Sequence, residues 1–257
     1  HDARLPLRLA LALLSEPTSK TVGESRLRDE ALAALPVDSG MSGEGWVVLH
    51  ADFAAVDTVL PGSADVVLTD PPWGDVPICG QLARRADEWL RPGGSLVAQV
   101  GTARLPEVLS LLGNHLSYQW LLALVSHPCG GRTPQFDRRV YQTWHAAAWY
   151  VKGEYSGPQM RDTIQLGPGD WKKDLHPWQQ PEAAYQKLVE KFTRPGDLVV
   201  DPCLGSGTTG VAAVRLGRRF IGIEVDKATA TIAARRLHRA SEESRVTTCE
   251  SMEASLA

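Results

Sequence analysis

The feature that most constrains the fold is a regular alternation of short β-branched runs with helical patterns, beginning at Trp46. Such alternation is typical of a parallel sheet whose strands are joined by crossover helices. The predicted strands are 46–51, 65–69, 95–100, 118–125, 146–152, 198–200 and 220–225, and the predicted helices are 78–90, 181–193, 208–216 and 227–244. The sequence therefore predicts an α/β fold with a doubly wound, mostly parallel sheet.

Composition fits one large globular domain and excludes several other classes. The chain has 257 residues, of which 43% are hydrophobic and 22% are charged, and its formal net charge is −3. Its longest apolar runs fall far short of the ~18–20 residues that a membrane-spanning helix needs. The four cysteines are scattered without a C-x-x-C pair, which argues against a zinc knuckle or a disulfide framework. We therefore expect a cytoplasmic protein with no membrane partner.

Two stretches stand apart from the regular pattern. Residues 1–44 contain two helical patterns separated by polar residues, and we interpret them as a helical appendage or the remnant of an upstream domain. Residues 45–257 form the predicted main domain. Within it, the segment 127–175 is rich in Gly, Pro and Arg and carries seven of the seventeen aromatic residues of the chain. We interpret this segment as an insertion that contacts nucleic acid, with a solvated loop as the alternative.

A strand, glycine loop and helix follow one another in the second half of the chain. Asp201 ends the strand, and Gly205, Gly207 and Gly210 precede the helix. Glycines let the backbone approach a ligand closely, and Glu224 ends the next strand, where a carboxylate can bind ribose hydroxyls. The carboxylate of Asp201 suits the cationic amino group of S-adenosylmethionine better than it suits a pyrophosphate. The loop therefore favours S-adenosylmethionine over a dinucleotide.

A rigid tetrapeptide ends another predicted strand. Residues 65–69 are followed by Asp70, Pro71, Pro72 and Trp73. Prolines stiffen the chain where it leaves the sheet, and open α/β folds bind ligands at the carboxyl ends of their strands. Alone, the four residues favour a proline-rich turn with a packed tryptophan. Together with the glycine loop they favour a catalytic site.

The two motifs resemble those of the bacterial and phage N-4/N-6 DNA amino-methyltransferases. The strings Asp70-Pro-Pro-Trp and Asp201-Pro-Cys-Leu-Gly-Ser-Gly-Thr-Thr-Gly occur in the order of that family's permuted β group, with the catalytic half before the cofactor loop. His176-Pro-Trp-Gln-Gln-Pro is similar to the family's His-Pro-Thr-Gln-Lys-Pro and departs from it at Trp178 and Gln180. The resemblance implies a Rossmann-like, S-adenosylmethionine-dependent methyltransferase fold.

The resemblance also implies roles for the motif residues. The catalytic residues would be Asp70, Pro71, Pro72 and Trp73. The cofactor-binding residues would be Asp201, Pro202, Cys203, Gly205, Ser206, Gly207, Thr208, Thr209 and Glu224, together with Asp52 and His176. Asp52 has an alternative interpretation, because an Asp at this place equally caps a predicted helix over 53–60. The chemistry needs no metal.

The predicted reaction is methyl transfer to an exocyclic amine of a base in DNA. That nitrogen is a poor nucleophile, and acceptors on its N–H bonds, the Asp70 carboxylate and the Pro71 carbonyl, would direct its lone pair at the sulfonium methyl. No covalent enzyme intermediate is needed. The base must leave the duplex, and Trp73 offers a flat face for stacking. We predict adenine N6, because relatives specific for cytosine N4 usually have Ser in place of Asp70, and a role in restriction–modification.

The segment 127–175 supplies the predicted DNA contacts. Its cations are Arg132, Arg138, Arg139, Lys172 and Lys173, and its aromatic residues Phe136, Tyr141 and Trp144 are expected to wedge or stack near the vacated base position. Acidic surface elsewhere should confine DNA to this face. A homodimer, or a fused or partner upstream domain, completes the set of expected partners.

Several alternatives stay open at this point. Cytosine N4, RNA adenosine N6 and a catalytically silent partner subunit all fit parts of the pattern. Cytosine C5 methylation needs an activated Pro-Cys nucleophile, for which Cys129 and Cys203 are the candidates. A nicotinamide-dependent oxidoreductase would use the same glycines but leaves the tetrapeptide at Asp70 without a role.

Overall fold

The computed structural model describes residues 40–125, 133–167 and 181–256. Within them, nine strands form one sheet in the order β1-β2-β11-β10-β3-β4-β8-β5-β9, and two more form a separate hairpin. The strands are β1 (Gly40–Gly43), β2 (Trp46–His50), β3 (Ala64–Thr69), β4 (Leu90–Val100), β5 (Ser117–Val125), β6 (Thr133–Gln135), β7 (Val140–Gln142), β8 (Trp144–Val151), β9 (Thr163–Gln165), β10 (Leu198–Asp201) and β11 (Arg219–Glu224).

Five neighbouring strands of the sheet are parallel: β2, β11, β10, β3 and β4. The central residues of β3, β10 and β11 are mostly apolar and nearly all of their residues are buried, as expected for strands covered on both faces. β1 and β8 pair antiparallel with the two ends of this group, β5 pairs antiparallel with β8, and β9 runs parallel to β5. The predicted α/β class with a mostly parallel sheet is confirmed.

Helices cover both faces of the sheet. The helices are α1 (Ile78–Trp89), α2 (Leu105–Leu112), α3 (Glu182–Phe192), α4 (Thr208–Arg215) and α5 (Lys227–Leu256). α1 and α2 bury apolar side chains in one core cluster, and α3, α4 and α5 bury theirs in a second cluster on the opposite face. α1 places its apolar side chains along one stripe, which ends with Trp89 fully buried against the sheet. The doubly wound arrangement is therefore confirmed.

Several features differ from the sequence prediction, among them the strands β6, β7 and β9, which were not predicted. The predicted helix over 53–60 is wrong, because only Phe53–Ala55 forms a 3-10 turn and Val56 already has extended backbone. The buried Val56 and Val59 then anchor an irregular segment to the core. α5 ends at Leu256 rather than near 244, and α2 was not predicted. β1, which the sequence assigns to the appendage, is an edge strand of the sheet.

Much of the predicted appendage and part of the predicted insertion lie outside the described residues. In the described part of the chain, no helix is both long and apolar enough to cross a membrane.

Candidate active site

The candidate site lies at the carboxyl ends of β3 and β10. These strands are parallel neighbours, with Val200 opposite Val67, so Asp201 and Asp70 reach the same edge of the sheet. From β10 the chain crosses by α4 to β11 on one side, whereas from β3 it crosses by α1 to β4 on the other. The two crossovers pack on opposite faces. The strand order therefore reverses between β10 and β3, which is where open α/β sheets bind ligands.

Asp201 is a buried acid at the centre of this edge, with 2% of its surface exposed. Its Oδ1 accepts a hydrogen bond from the Cys203 backbone N–H at 3.1 Å. Burial raises the pKa of Asp201 to about 6, although the nearby Thr209 hydroxyl and the Cys203 backbone N–H lower it. A buried carboxylate is stabilised by a cationic partner. The site therefore fits the ammonium group of S-adenosylmethionine.

The glycines of the loop are needed for two different reasons, backbone conformation and close packing. Gly205 and Gly207 have positive φ angles of 54° and 89°, which favour glycine. A Cβ on Gly210 would lie 2.6 Å from the Phe220 ring, so this glycine lets α4 pack closely against its neighbours. In contrast, a Cβ on Gly205 would meet no atom of the chain within 4 Å. Gly205 therefore leaves its backbone open to a ligand. It lies just before the N-terminus of α4, where the first N–H groups of a helix have no partner within the helix.

Glu224 connects the loop to a neighbouring cavity. Its Oε2 accepts a hydrogen bond from Gly205 N at 2.8 Å, and its Oε1 accepts one from Asp226 N at 3.0 Å. The cavity of about 340 Å³ beside it is lined by Glu224, Asp52, Phe53 and Pro202, among others. This volume falls within the range of small-molecule sites. Four of the predicted cofactor-binding residues therefore line one concave space: Asp52, Pro202, Cys203 and Glu224.

Both interpretations of Asp52 are compatible with its position. Its Oδ1 accepts a hydrogen bond from Ala54 N at 2.9 Å and so caps the 3-10 turn. The same side chain lines the cavity beside Glu224. The cap fixes the carboxylate at the cavity wall, because the turn and the wall are built from the same residues.

The tetrapeptide presents a linked acid and aromatic ring. The indole N–H of Trp73 donates to Asp70 Oδ1 at 2.8 Å. Pro71 is buried, Pro72 is exposed, and 40% of the Trp73 surface is exposed. The Trp73 ring lies 5.5 Å from the His145 ring, centroid to centroid. The sequence predicted the Asp and Trp as site residues, but it did not indicate their hydrogen bond.

A buried polar pair below this edge was not predicted. The Tyr185 hydroxyl of α3 donates to Gln99 Oε1 of β4 at 3.3 Å, and both residues are at most 2% exposed. Burial raises the pKa of Tyr185 well above its ordinary value, and the charges of Asp70 and Asp201 raise it further. The phenol therefore lies within the electrostatic influence of both carboxylates of the site. Tyr185 lies on the apolar face of a helix, so its position in the sequence does not distinguish it from an ordinary core residue.

The thiol of Cys203 is poorly suited to nucleophilic catalysis. Burial raises its pKa, and the neighbouring charge of Asp201 raises it further. Reactive cysteines have lowered pKa values, usually beside a cation or a helix N-terminus. This environment disfavours Cys203 as the nucleophile of a cytosine C5 methyltransferase. The other candidate, Cys129, lies outside the described residues.

The β6–β7 hairpin extends from the same edge. Phe136 and Tyr141 are 81% and 65% exposed. Arg138 donates from Nη2 to the Ala103 carbonyl at 3.1 Å, just beyond the end of β4. Arg139 follows in the left-handed conformation, with φ of 54°. Exposed aromatic and cationic side chains are therefore held beside the site on a short ribbon.

The remaining predicted contacts divide into two groups. Trp144, which begins β8, is only partly exposed and packs against the core. Four predicted residues lie outside the described residues: Arg132, Lys172, Lys173 and His176.

Comparison with known proteins identifies the family. The N6/N4 methyltransferase family, described as DNA methylase, matches residues 65–235, and the chain belongs to this family. It is 27% identical over 250 residues to the type II methyltransferase M2.DpnII of Streptococcus pneumoniae, covering 76% of this chain and 91% of that protein.

Two solved structures are similar to this one. The M1.HpyAVI complex with SAM is 28% identical, with a TM-score of 0.61 over 74% of this chain and 98% of that one. The PvuII DNA methyltransferase, described as cytosine-N4-specific, is 18% identical, with a TM-score of 0.67 over 80% and 94% of the two chains, and shows the fold. The protein is thus an S-adenosylmethionine-dependent DNA methyltransferase, and the predicted family and cofactor are confirmed.

Proposed function

We propose that this enzyme methylates the N6 amine of adenine in DNA, by direct attack of the amine on the methyl group of S-adenosylmethionine. The observation that carries the proposal is the Asp70 carboxylate at the carboxyl end of β3, beside the exposed ring of Trp73. When bound, the cofactor supplies an electrophilic methyl group. The chain must supply acceptors for the amine, a surface for the base and a binding site for the cofactor.

Asp70 and Pro71 are the proposed acceptors for the target amine. The Asp70 carboxylate accepts one N–H bond and the Pro71 carbonyl the other, which localises the lone pair on nitrogen and directs it at the methyl group. Pro71 and Pro72 restrict the backbone, and the burial of Pro71 anchors it at the end of β3. The environment of Cys203 disfavours this thiol as the nucleophile of a route through a covalent enzyme intermediate.

Trp73 is the proposed surface for the base. An amine that is paired in a duplex cannot reach Asp70, so the base must rotate out. The exposed part of the Trp73 ring offers a π-face, and stacking on an aromatic residue contributes ~1–3 kcal/mol per base. In this proposal the β6–β7 hairpin lies against the DNA, with Phe136 and Tyr141 near the vacated position and Arg138 near phosphates.

The proposed cofactor site follows the sheet edge. Asp201 binds the ammonium group, the backbone from Gly205 to Thr209 surrounds the methionine part, and Glu224 binds the ribose hydroxyls. Asp52 lines the same cavity as Glu224 and contacts the nucleoside there. The support for these roles is the burial of Asp201, the open side of Gly205 and the position of Glu224 on the cavity wall.

The decisive test identifies the methylated nucleoside. The enzyme is incubated with S-adenosylmethionine labelled in its methyl group and DNA or RNA of mixed sequence, and the nucleic acid is digested to nucleosides. We expect N6-methyldeoxyadenosine from the wild type and from Glu190→Gln, an exposed carboxylate on α3, but none from Asp70→Ala. N4-methyldeoxycytidine or methylated RNA would contradict the proposed substrate, and turnover by Asp70→Ala at the wild-type rate would contradict the mechanism.

A further inference from the structure

The indole N–H of Trp73 has a definite acceptor in this structure. It donates to Asp70 Oδ1 at 2.8 Å, a distance typical of a charge-assisted hydrogen bond. Stacking of a base requires only a π-face, so it gives no reason for this N–H to point at the carboxylate. The contact links the residue proposed to hold the base to the residue proposed to accept its amine.

The ring is also held from other sides. A Cβ on Gly101 would lie 3.2 Å from Trp73 Cβ and 3.4–3.5 Å from ring atoms, so the backbone at the end of β4 packs closely against the tryptophan. The His145 ring lies 5.5 Å away, tilted by 42°. The orientation of the indole is therefore set by the backbone of β4 and the start of β8. An N–H held in this way can fix the group that accepts from it.

We propose that Trp73 is a positioning residue for Asp70, and that methyl transfer depends on its indole N–H as well as on its ring. This inference rests on the proposed role of Asp70 as acceptor for the target amine. A tryptophan at position 73 then differs in function from a phenylalanine, which offers a π-face without a donor.

The physical basis is the rotational freedom of a carboxylate. The terminal torsion of an Asp side chain is broad, so each hydrogen bond to the carboxylate narrows the range of orientations that it samples. A hydrogen bond to Oδ1 restrains the plane of the group. A carboxylate offers about four lone-pair sites, so accepting the indole N–H is compatible with accepting an N–H of the base. The restrained carboxylate presents its acceptor sites in one direction.

The expected effect falls on the chemical step. Misplacing a catalytic group by about 1 Å costs up to ~100-fold in rate, whereas the base still stacks on an intact ring. Removing only the N–H should therefore lower kcat about tenfold or more and leave base rotation and cofactor affinity unchanged. Loss of stacking would instead impair base rotation together with kcat.

The test replaces Trp73 with β-(3-benzothienyl)alanine, which keeps the bicyclic ring and exchanges N–H for sulfur. Trp73→Phe serves as a second variant with an aromatic ring and no donor. Total transfer of labelled methyl to DNA gives kcat, whichever base receives it, and calorimetry gives the affinity for S-adenosylmethionine. Fluorescence of 2-aminopurine, placed at the mapped target position, reports base rotation.

In both variants we expect kcat to fall about tenfold or more, with the fluorescence amplitude and the cofactor affinity within about twofold of wild type. A kcat within about twofold of wild type would overturn the proposal, as would a parallel loss of kcat and fluorescence amplitude. Failure of the proposed function is recognised separately: it would show as a product other than N6-methyladenine, or as full turnover by Asp70→Ala, in the wild-type Trp73 background.

Discussion

Replacing Asp201 with Asn should stabilise the protein without its cofactor and weaken cofactor binding at the same time. Burial raises the pKa of Asp201 from 3.8 to about 6, so at neutral pH the native state holds a carboxylate in an environment that disfavours its charge. The ionised form costs ~3 kcal/mol relative to the unfolded chain, from 1.36 kcal/mol for each pH unit by which the pKa is raised. Asn has nearly the same shape and no charge.

The pH dependence follows from the direction of this change. Between pH 6 and pH 4 the native state binds a proton at Asp201 more tightly than the unfolded state does, so this residue's contribution makes the wild type less stable as the pH rises. We expect Asp201→Asn to be more stable than the wild type by up to ~3 kcal/mol at pH 7, and the difference to vanish below about pH 3, where Asp201 is protonated in both states. Denaturant unfolding at several pH values measures this.

Cofactor affinity should also depend on pH, and it should decrease as the pH falls. The ionised form of Asp201 binds the ammonium group, so wild-type affinity should level off near pH 7 and fall by up to about tenfold for each pH unit below pH 6. Asp201→Asn should bind weakly, with little pH dependence from pH 5 to pH 7, by calorimetry. Glu190→Gln is the matched control on an exposed carboxylate and should change neither quantity. An Asn variant that binds as tightly as the wild type, or that is less stable at pH 7, would refute the reasoning.

Three further changes separate packing, cofactor binding and DNA binding. Gly210→Ala should lower the free energy of unfolding more than Gly205→Ala, because only the Gly210 variant places a Cβ against a buried ring. Gly205→Ala should mainly weaken cofactor binding, which calorimetry measures. Tyr185→Phe should lower the free energy of unfolding by ~0.5–1.5 kcal/mol in denaturant titrations, because it removes a buried hydrogen bond to the Gln99 amide. Neutralising Arg138 and Arg139 together should reduce the slope of log DNA affinity against log salt by about one unit or more and spare cofactor binding; an unchanged slope would place the DNA path elsewhere.

The strands and the two acidic positions could be predicted because their signals are local. A run such as Val66 to Leu68 is apolar and β-branched enough to indicate a buried strand, and Asp70 and Asp201 follow such runs directly. The carboxyl ends of parallel strands meet at one edge, so the approach of the two acids follows from the fold class.

The remaining parts depend on contacts between distant segments. The bond from Tyr185 to Gln99 joins residues 86 positions apart, and its partner is set by how α3 packs across the sheet. The early end of the turn after Asp52 has a similar origin, since burial of Val56 and Val59 in the core decides against a helix that local capping would favour. The direction of the Trp73 N–H depends on the backbone of Gly101, which no local pattern reveals.

The order of the two motifs along the chain has little bearing on the geometry of the site. Asp70 precedes the glycine loop by about 130 residues, yet β3 and β10 are neighbours, because each crosses to a strand on its outer side. What places the two acids together is the reversal of strand order between these strands, with one crossover helix on each face. A chain that begins at a different strand of the same sheet would keep this reversal, and with it the same adjacent carboxylates. The permuted order is therefore compatible with an unchanged reaction centre.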